Sequence, residues 1–195
     1  MIEGEKIHIN FTGASGTGKT TLLDELRKSI PEYEFNTEVV RKLLKERGIK
    51  INEMGDEDGQ KLIFNTYMDF LLRGKGKEYV SDRCIIDPLA YTMLHVNNHQ
   101  IDRKLLDDQW NAVKLAVRSH YLDYVFYFPI EFANEHDGVR SDDDDFRNET
   151  DAAIRAILSD LKREFPYFQV IEVRGAVEQR KDIILNFIKN NKRNE

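Results

Sequence analysis

The chain has 195 residues, of which 41% are hydrophobic and 33% charged, and its formal net charge is −6. This length is sufficient for one α/β domain with a sizeable core, and we expect residues 1–195 to form a single domain. The negative charge gives no whole-molecule attraction to DNA or to anionic membranes, and no apolar run approaches the ~20 residues of a membrane span. The N-terminus lacks an apolar signal segment, and the single cysteine, Cys84, excludes an internal disulfide. We therefore expect a cytoplasmic protein.

Strand-like and helix-like segments alternate along the chain. The predicted strands begin near residues 6, 33, 78, 123 and 168. The predicted helices lie near residues 18–29, 38–48, 57–73, 102–120, 147–164 and 177–191. A further predicted helix, between the third strand and residue 102, ends near residue 96. This alternation is typical of a parallel sheet with helices on both faces. The sequence therefore predicts a three-layer α/β fold around a five-stranded parallel sheet.

A glycine-rich stretch joins the first predicted strand to the first predicted helix. From Gly13 to Thr20 it satisfies the phosphate-loop (Walker A) pattern G-x-x-x-x-G-K-[ST]. Glycines let backbone N–H groups approach an anion, and the helix that follows adds unpaired N–H groups and a partial positive charge. Lys19 is placed to reach the outer phosphates, and the Thr20 hydroxyl is placed to ligate magnesium. We predict a nucleoside triphosphate site.

Polar residues follow the ends of the other predicted strands. Glu38 follows the second strand, Asp82 and Arg83 follow the third, and Pro129 follows the fourth. Ligands of parallel sheets bind outside the carboxyl ends of the strands. We expect these residues to converge with the phosphate loop on one crevice.

Taken together, these blocks resemble the P-loop kinases of small molecules and nucleic-acid ends. The closest pattern is that of the ribosylnicotinamide-kinase-like ATP-binding domains, with nucleoside, thymidylate and polynucleotide kinases as more distant relatives. Besides the phosphate loop, the resemblance rests on Glu38 to Arg41, on the Asp-Arg block at residues 81–91, and on arginine-bearing segments near Arg140 and Arg147. A weaker similarity is that residues 174–180 match the loop that cups adenine after the last strand.

The resemblance implies ATP-dependent phosphoryl transfer in a P-loop NTPase fold, with Mg²⁺ as cofactor. Asp82 would accept the proton of the acceptor hydroxyl, hold the magnesium shell, or do both, and residues 130–146 would form a lid. The implied catalytic residues are Lys19, Asp82, Arg83, Arg140 and Arg147, and the implied metal ligands are Thr20 and Asp82. The implied ATP-binding residues are Gly13, Ala14, Ser15, Gly16, Thr17, Gly18, Lys19, Thr20, Thr21 and Arg180. The implied acceptor-binding residues are Glu38, Arg41, Arg83, Asp87 and Tyr91.

Structural roles for the arginines stay open. Arg83 can form a salt bridge with Glu38 or Asp87 that is unconnected with catalysis, because ion pairs need not be functional. Arg140 and Arg147 can likewise pair within the acidic run that precedes the sixth predicted helix.

Other phosphate-loop classes fit less well. A GTPase needs a D-x-x-G sequence after a strand, and Asp56 to Gly59 has that spelling without a strand before it. A GTPase also needs the guanine-binding motif N-K-x-D, and residues 134–137 match it only with glutamate in place of lysine. An ATPase motor or AAA-type switch needs an apolar strand ending in adjacent acids, and no predicted strand ends in that way.

The acceptor class follows from charge. Binding a polynucleotide depends on a track of basic residues, and those of this chain are mostly interleaved with acids. We therefore favour a small nucleoside or nucleotide acceptor over a hydroxyl on a DNA end or DNA base. The alternative stays open, because several basic residues can form a local groove. These residues are Arg41, Lys42, Lys45, Lys75 and Lys77.

Overall fold

The computed structural model describes residues 6–37, 39–49, 52–74, 76–133 and 143–192. Five strands lie in these ranges: β1 (His8–Thr12), β2 (Glu34–Asn36), β3 (Tyr79–Ser81), β4 (Tyr124–Tyr127) and β5 (Gln169–Glu172). The α-helices of the same ranges are α1 (Lys19–Ser29), α2 (Val39–Arg47), α3 (Glu57–Gly74), α4 (Ile86–Asn97), α5 (Arg103–Arg118), α6 (Asp144–Glu164) and α7 (Val177–Lys192). A short 3₁₀ helix, Asn52–Met54, precedes α3.

The strands form one parallel sheet in the order β2-β3-β1-β4-β5. One apolar core packs α1 and α7 against the sheet, and a larger one contains residues of α3, α4, α5 and α6. The predicted three-layer P-loop NTPase fold, with helices on both faces of a five-stranded parallel sheet, is confirmed. Because β1 is central, the loop that follows it lies between the loops that follow β3 and β4. No helix in the described ranges is long and apolar enough to cross a membrane.

The start of α6 differs from the prediction. The helix begins at Asp144 instead of Arg147, because the Asp143 carboxylate caps it by accepting hydrogen bonds from the N–H groups of Asp145 (2.8 Å) and Phe146 (3.1 Å). Acids in the first turn also favour the positive end of the helix dipole. The last residues of the acidic run before Arg147 are therefore helical. Of the predicted lid at 130–146, residues 134–142 lie outside the described ranges.

Candidate active site

Two glycines fix the shape of the phosphate loop. Gly13 has a φ of 151°, and a Cβ there would lie 2.5 Å from the carbonyl oxygen of Phe128, the residue that follows β4. Gly18 caps α1 with a φ of 81°, a left-handed conformation that favours glycine. No other residue type fits at Gly13 without moving the backbone. The close contact between β1 and β4 therefore depends on the glycine that the pattern requires.

Three buried cationic side chains bind carbonyl oxygens of the loop. Lys19 Nζ donates to the carbonyls of Gly13 (2.7 Å) and Ala14 (2.6 Å). Arg147 Nε donates to the Ser15 carbonyl at 2.9 Å, and Arg180 Nη1 donates to the Thr17 carbonyl at 2.6 Å. The exposed fractions of Lys19, Arg147 and Arg180 are 7%, 5% and 1%. Cations on the carbonyl side hold the loop in one shape and raise its positive potential, which favours an anion.

The two arginines also hold the segment after β4. Arg147 Nη2 donates to the Phe132 carbonyl at 3.0 Å, and Arg180 Nη2 forms a 2.5 Å ion pair with Glu131. The predicted alternative for Arg147, pairing within the acidic run, is not what its described contacts show. Both side chains instead tie the beginning of the predicted lid to the phosphate loop.

The Asp-Arg block is anchored by an internal ion pair. Arg83 Nη1 lies 2.8 Å from Asp87 Oδ1 and 3.4 Å from the Gly13 carbonyl oxygen. The buried Asp87 carboxylate also accepts from the N–H groups of Cys84 (3.1 Å) and Gly13 (3.3 Å). Burial alone would lower the pKa of Arg83, but the nearby Tyr91 and Asp87 outweigh burial and raise it, so the guanidinium stays charged. The salt bridge to Asp87, one of the predicted alternatives, is therefore present, and it fastens this block to the phosphate loop.

A cavity of about 180 Å³ opens between the phosphate loop and helices α2, α3 and α4. The predicted site residues that line it are Ser15, Gly16, Thr17, Gly18, Lys19, Thr20, Thr21, Arg41, Asp82, Arg83, Asp87 and Tyr91. The structure thus brings together residues from three separate segments that were predicted to bind the donor, the metal and the acceptor. Glu38 and Arg140 lie outside the described residues.

The cavity also has walls that sequence reasoning did not assign to it. These additional lining residues are Val40, Asn52, Gln60, Ile63, Tyr67 and Pro88. Gln60 is 2% exposed and lies on the same face of α3 as Ile63 and Tyr67. A polar residue within an apolar helical stripe is the signal that could have identified it. Burial raises the pKa of Tyr67 well above its usual range, so its hydroxyl stays protonated.

A second depression, of about 240 Å³, lies on the other side of the phosphate loop. It is lined by Gly16, Gly18, Thr21, Phe132, Ala133, Gly175, Val177 and Arg180. Arg180, predicted to bind ATP, reaches this depression from α7, but the contacts of its guanidinium are with protein groups. It donates to the carbonyls of Thr17 and Gly175 and pairs with Glu131.

The D-x-x-G sequence at Asp56, which resembles a GTPase motif, has a structural role in this fold. Asp56 Oδ1 accepts a hydrogen bond from the Gly59 N–H at 2.9 Å, at the start of α3. The residue thus caps a helix and follows a 3₁₀ helix rather than a strand. The second GTPase-like motif, at residues 134–137, lies outside the described ranges.

The residues predicted to hold Mg²⁺ line the same cavity. Thr20 offers a hydroxyl oxygen at the start of α1, and Asp82 offers carboxylate oxygens after β3. Mg²⁺ is usually held by one or two such oxygens together with substrate phosphates. In the described ranges no group of three or more acidic, histidine or cysteine side chains is placed to hold a metal by itself. The donor set therefore fits a magnesium ion that arrives with a nucleotide.

Known proteins share this architecture. Guanylate kinase from Lawsonia intracellularis (strain PHE/MN1-00) is 31% identical over 121 residues, which are 59% of this chain and 52% of the relative. The chain therefore spans about half the length of that curated relative. Among solved structures, deoxyadenosine kinase from M. mycoides with dCMP and dCDP superposes with a TM-score of 0.62 at 14% identity, over 94% of this chain and all of the other. The NadR protein in complex with NAD and AMP-PNP gives a TM-score of 0.69 at 15% identity, over 94% of this chain and 50% of the other.

These similarities confirm the predicted resemblance to the P-loop kinase fold. A sequence profile described as an AAA domain, AAA_28, matches residues 8–180. This description names a domain and not an activity, so it does not test the prediction that the chain is not an AAA-type switch. In the structure β3 is followed by Asp82 and Arg83, which are not a pair of adjacent acids. The match covers most of the chain, and the protein belongs to the AAA_28 family of P-loop domains.

Proposed function

We propose that the protein is an ATP-dependent kinase that transfers the γ-phosphoryl group to a nucleoside or nucleotide. The observation that carries this proposal is the cavity that joins the phosphate loop to Asp82 and Arg83. Its other walls include the apolar and aromatic side chains of Ile63, Tyr67 and Tyr91. Concave sites of this kind, mostly apolar with a few convergent polar groups, suit a base and its sugar. The acceptors named for the guanylate and deoxyadenosine kinases support the same class.

The donor half of the site would bind the triphosphate. N–H groups of the phosphate loop and of the first turn of α1 would face the β- and γ-phosphates, and Lys19 would leave the loop carbonyls to reach them. Thr20 and Asp82 would hold Mg²⁺, which when bound neutralises charge on the outer phosphates. Arg147 and Arg180 would keep the loop in its phosphate-binding shape from behind.

The acceptor half would align and deprotonate the acceptor. The acceptor oxygen forms a bond to the γ-phosphorus while the bond from that phosphorus to the β–γ bridging oxygen breaks, and ADP leaves. Asp82 would take the proton of an acceptor hydroxyl, or hold the magnesium shell, or both. Arg83, kept in place by Asp87, would orient the acceptor or bind its phosphate. Glu38, Arg41, Asp87 and Tyr91 are proposed to complete the acceptor side.

Closure of the site is part of the proposal. Residues 130–146 would fold over the bound nucleotide, with Arg140 and Arg147 as the arginines of this lid. The contact of Arg147 with Ser15 and Phe132 supports a connection between lid and phosphate loop. Closure would exclude water from the transferred group. Because the donor is ATP, the cytoplasm remains the proposed location.

One observation favours a polynucleotide acceptor instead. Helix α2, which contributes Val40 and Arg41 to the cavity, carries an excess of basic side chains over the single acid Glu46. The basic residues of this helix are Arg41, Lys42, Lys45 and Arg47, and all four are exposed. A cationic helix beside the cavity could follow a strand of phosphates. We keep the small acceptor as the proposal, because one cavity of about 180 Å³ accommodates a single nucleoside better than a chain.

A panel of acceptors tests the proposal. Purified protein is incubated with γ-labelled ATP and Mg²⁺ and with individual nucleosides, nucleoside monophosphates, and single- and double-stranded oligonucleotides. We expect transfer to one or a few small acceptors at a rate that changes little between 50 and 200 mM salt. Preferential labelling of oligonucleotides, with a rate that falls steeply over that range, would select the polynucleotide alternative. Release of inorganic phosphate alone, whatever acceptor is present, would contradict the kinase proposal and favour an NTPase switch.

A further inference from the structure

An aromatic side chain joins the first turn of helix α6 to helix α4. Phe146 is 6% exposed, and its ring centroid lies 5.8 Å from that of Tyr91 and 6.2 Å from that of His95. Tyr91 lines the acceptor cavity, and both helices contribute to the larger of the two apolar cores. Phe146 therefore supports, from within the core, a helix that forms part of the acceptor wall.

The backbone at Phe146 is fixed as well. Its N–H donates to the Asp143 carboxylate at 3.1 Å, and its carbonyl accepts from the Thr150 hydroxyl at 2.8 Å. The next N–H along, that of Arg147, donates to the Asp143 carbonyl at 3.1 Å. Consecutive side chains of an α-helix leave its axis about 100° apart, because a turn contains 3.6 residues. The same turn can therefore pack one side chain on α4 and direct the next to the phosphate loop.

The contacts of Arg147 depend on where this turn lies. Its Nε and Nη2 atoms donate to carbonyls of two different segments, Ser15 in the phosphate loop at 2.9 Å and Phe132 after β4 at 3.0 Å. Both distances are close to the optimum for an N–H···O bond, and such bonds weaken as the distance grows and the angle closes. A planar guanidinium that binds two fixed carbonyls therefore tolerates little displacement of the helix that carries it.

We infer that Phe146 is a positioning residue for nucleotide binding, because it anchors the first turn of α6 to α4 and so holds Arg147 against the phosphate loop. The inference rests on the proposed function for the nucleotide that the loop binds, and it gives a role to a residue that the proposed function does not use. It also makes the shape of the phosphate loop depend on packing at the acceptor wall. A core phenylalanine without this role would contribute to stability alone.

A double-mutant cycle in the binding of Mg-AMP-PNP, an ATP analogue, tests this inference. Calorimetric titration gives the dissociation constant for the wild-type protein, Phe146→Ala, Arg147→Ala and the variant that carries both substitutions. We expect each single substitution to weaken binding about tenfold. The double variant should be no more than about twofold weaker than Arg147→Ala, because both residues act through the same contact. Phe146→Leu, which keeps a smaller apolar side chain, should weaken binding about threefold, and it replaces Phe146→Ala in the cycle if that variant does not fold.

Phe165→Ala is the matched control. Phe165 follows the other end of α6, is 5% exposed and belongs to the same apolar core, where its ring lies near Arg118 and Tyr167. Chemical denaturation should show that loss of either phenylalanine lowers the free energy of unfolding. Only substitution of Phe146 should weaken AMP-PNP binding by the folded protein.

Three results would overturn the inference. The first is an AMP-PNP affinity that substitution of either Phe146 or Arg147 leaves unchanged. The second is a double variant whose loss equals the product of the two single losses, because Phe146 would then act by another route. The third is equal weakening by Phe165→Ala. Each is a binding measurement, so nucleotide binding without transfer to any acceptor contradicts only the kinase proposal. Failure of the wild-type protein to bind AMP-PNP would contradict both.

Discussion

The proposed donor and acceptor halves of the site are built in different ways. In the donor half, three buried cationic side chains bind carbonyls of one short loop and together hold it in one shape. They are Lys19, Arg147 and Arg180. In the acceptor half, the cavity has walls from three helices, and much of their surface is apolar, including Ile63 and Tyr67. A triphosphate is the same in every reaction, and a fixed cradle suits it. An acceptor varies from one enzyme to the next, and a shaped cavity can change by substitution of its walls without disturbing the loop.

The largest effect is expected in the donor half, from Lys19→Ala. The ammonium group is the only charge that the loop itself can offer to the γ-phosphoryl group, and we expect kcat/KM to fall about 10³-fold or more. Steady-state transfer assays measure it, and circular dichroism checks the fold. Lys28→Ala is the matched control, because Lys28 is an exposed lysine of the same helix. Full turnover in Lys19→Ala would contradict the assignment of the donor half.

The next largest effect is expected on kcat from a substitution of Asp82, which lies between the donor and acceptor halves. Asp82→Asn keeps the shape of the side chain but removes its charge and basicity, so kcat should fall by roughly 10²–10⁴ if it is the base. ATP affinity should change much less, because the loop contacts remain. Comparison of kcat with the dissociation constant of ATP separates the two quantities. Equal loss of both would assign Asp82 to donor binding.

Arg83→Ala should affect the acceptor half of the site more than the donor half. We expect the KM of the acceptor to rise at least as much as kcat falls. Loss of the guanidinium also leaves the buried Asp87 with backbone donors only, and the free energy of unfolding should drop by about 2 kcal/mol. Chemical denaturation measures the second effect.

Arg73→Ala is the control for that substitution, because Arg73 pairs with Asp69 at the same spacing of four residues but on an exposed surface. Its loss should cost less than about 0.5 kcal/mol. If both arginine variants lose the same stability, the anchoring role of the Arg83–Asp87 pair is wrong.

Arg147→Ala tests whether the shape of the phosphate loop depends on the arginine side chains that bind its carbonyls. Removing the bonds to Ser15 and Phe132 should raise the KM of ATP about tenfold and lower the free energy of unfolding by about 1–3 kcal/mol. Arg163→Ala removes an exposed arginine of the same helix that pairs with the exposed Asp160, and it should leave both nearly unchanged. An ATP KM within twofold of wild type in Arg147→Ala would show that the loop holds its shape without this arginine.

The smallest effect concerns Cys84, which lies within the Asp-Arg block. Burial raises the pKa of its thiol well above the usual range, so the reactive thiolate is scarce at pH 8. Alkylation of the native protein at pH 8 should be far slower than alkylation in denaturant, and it should remain slow as the pH rises through 9. Rapid modification of the native thiol would show that this part of the acceptor half opens readily.

The sequence allowed prediction of local features and missed those that depend on distant contacts. The phosphate loop was predictable because its glycines and lysine encode a geometry within one short segment. The carbonyl that Arg147 binds lies 132 positions away, and the one that Arg180 binds lies 163 positions away. No local pattern carries that information. Gln60 was missed because a single polar residue in an apolar stripe is compatible with a satisfied core residue.

The helix predicted near residues 147–164 is confirmed as α6, but it begins at Asp144, three residues earlier, for a local reason. Asp143 is a good helix cap and acids favour the first turn, so the helix begins within the run of acids before Arg147. Phe132 had no signal either, because it stands in a segment without periodicity. Its position over Arg180 follows from the way in which α7 and the loop after β4 meet.

The fate of the γ-phosphoryl group tests the central claim most directly. A single turnover is run with enzyme in excess over γ-labelled ATP, first with a saturating small acceptor and then without one, and the label is divided between acceptor and inorganic phosphate. The account predicts that most of the label reaches the acceptor, that little is released in its absence, and that Lys19→Ala gives neither product. Release of inorganic phosphate at the same rate with and without every acceptor would contradict it.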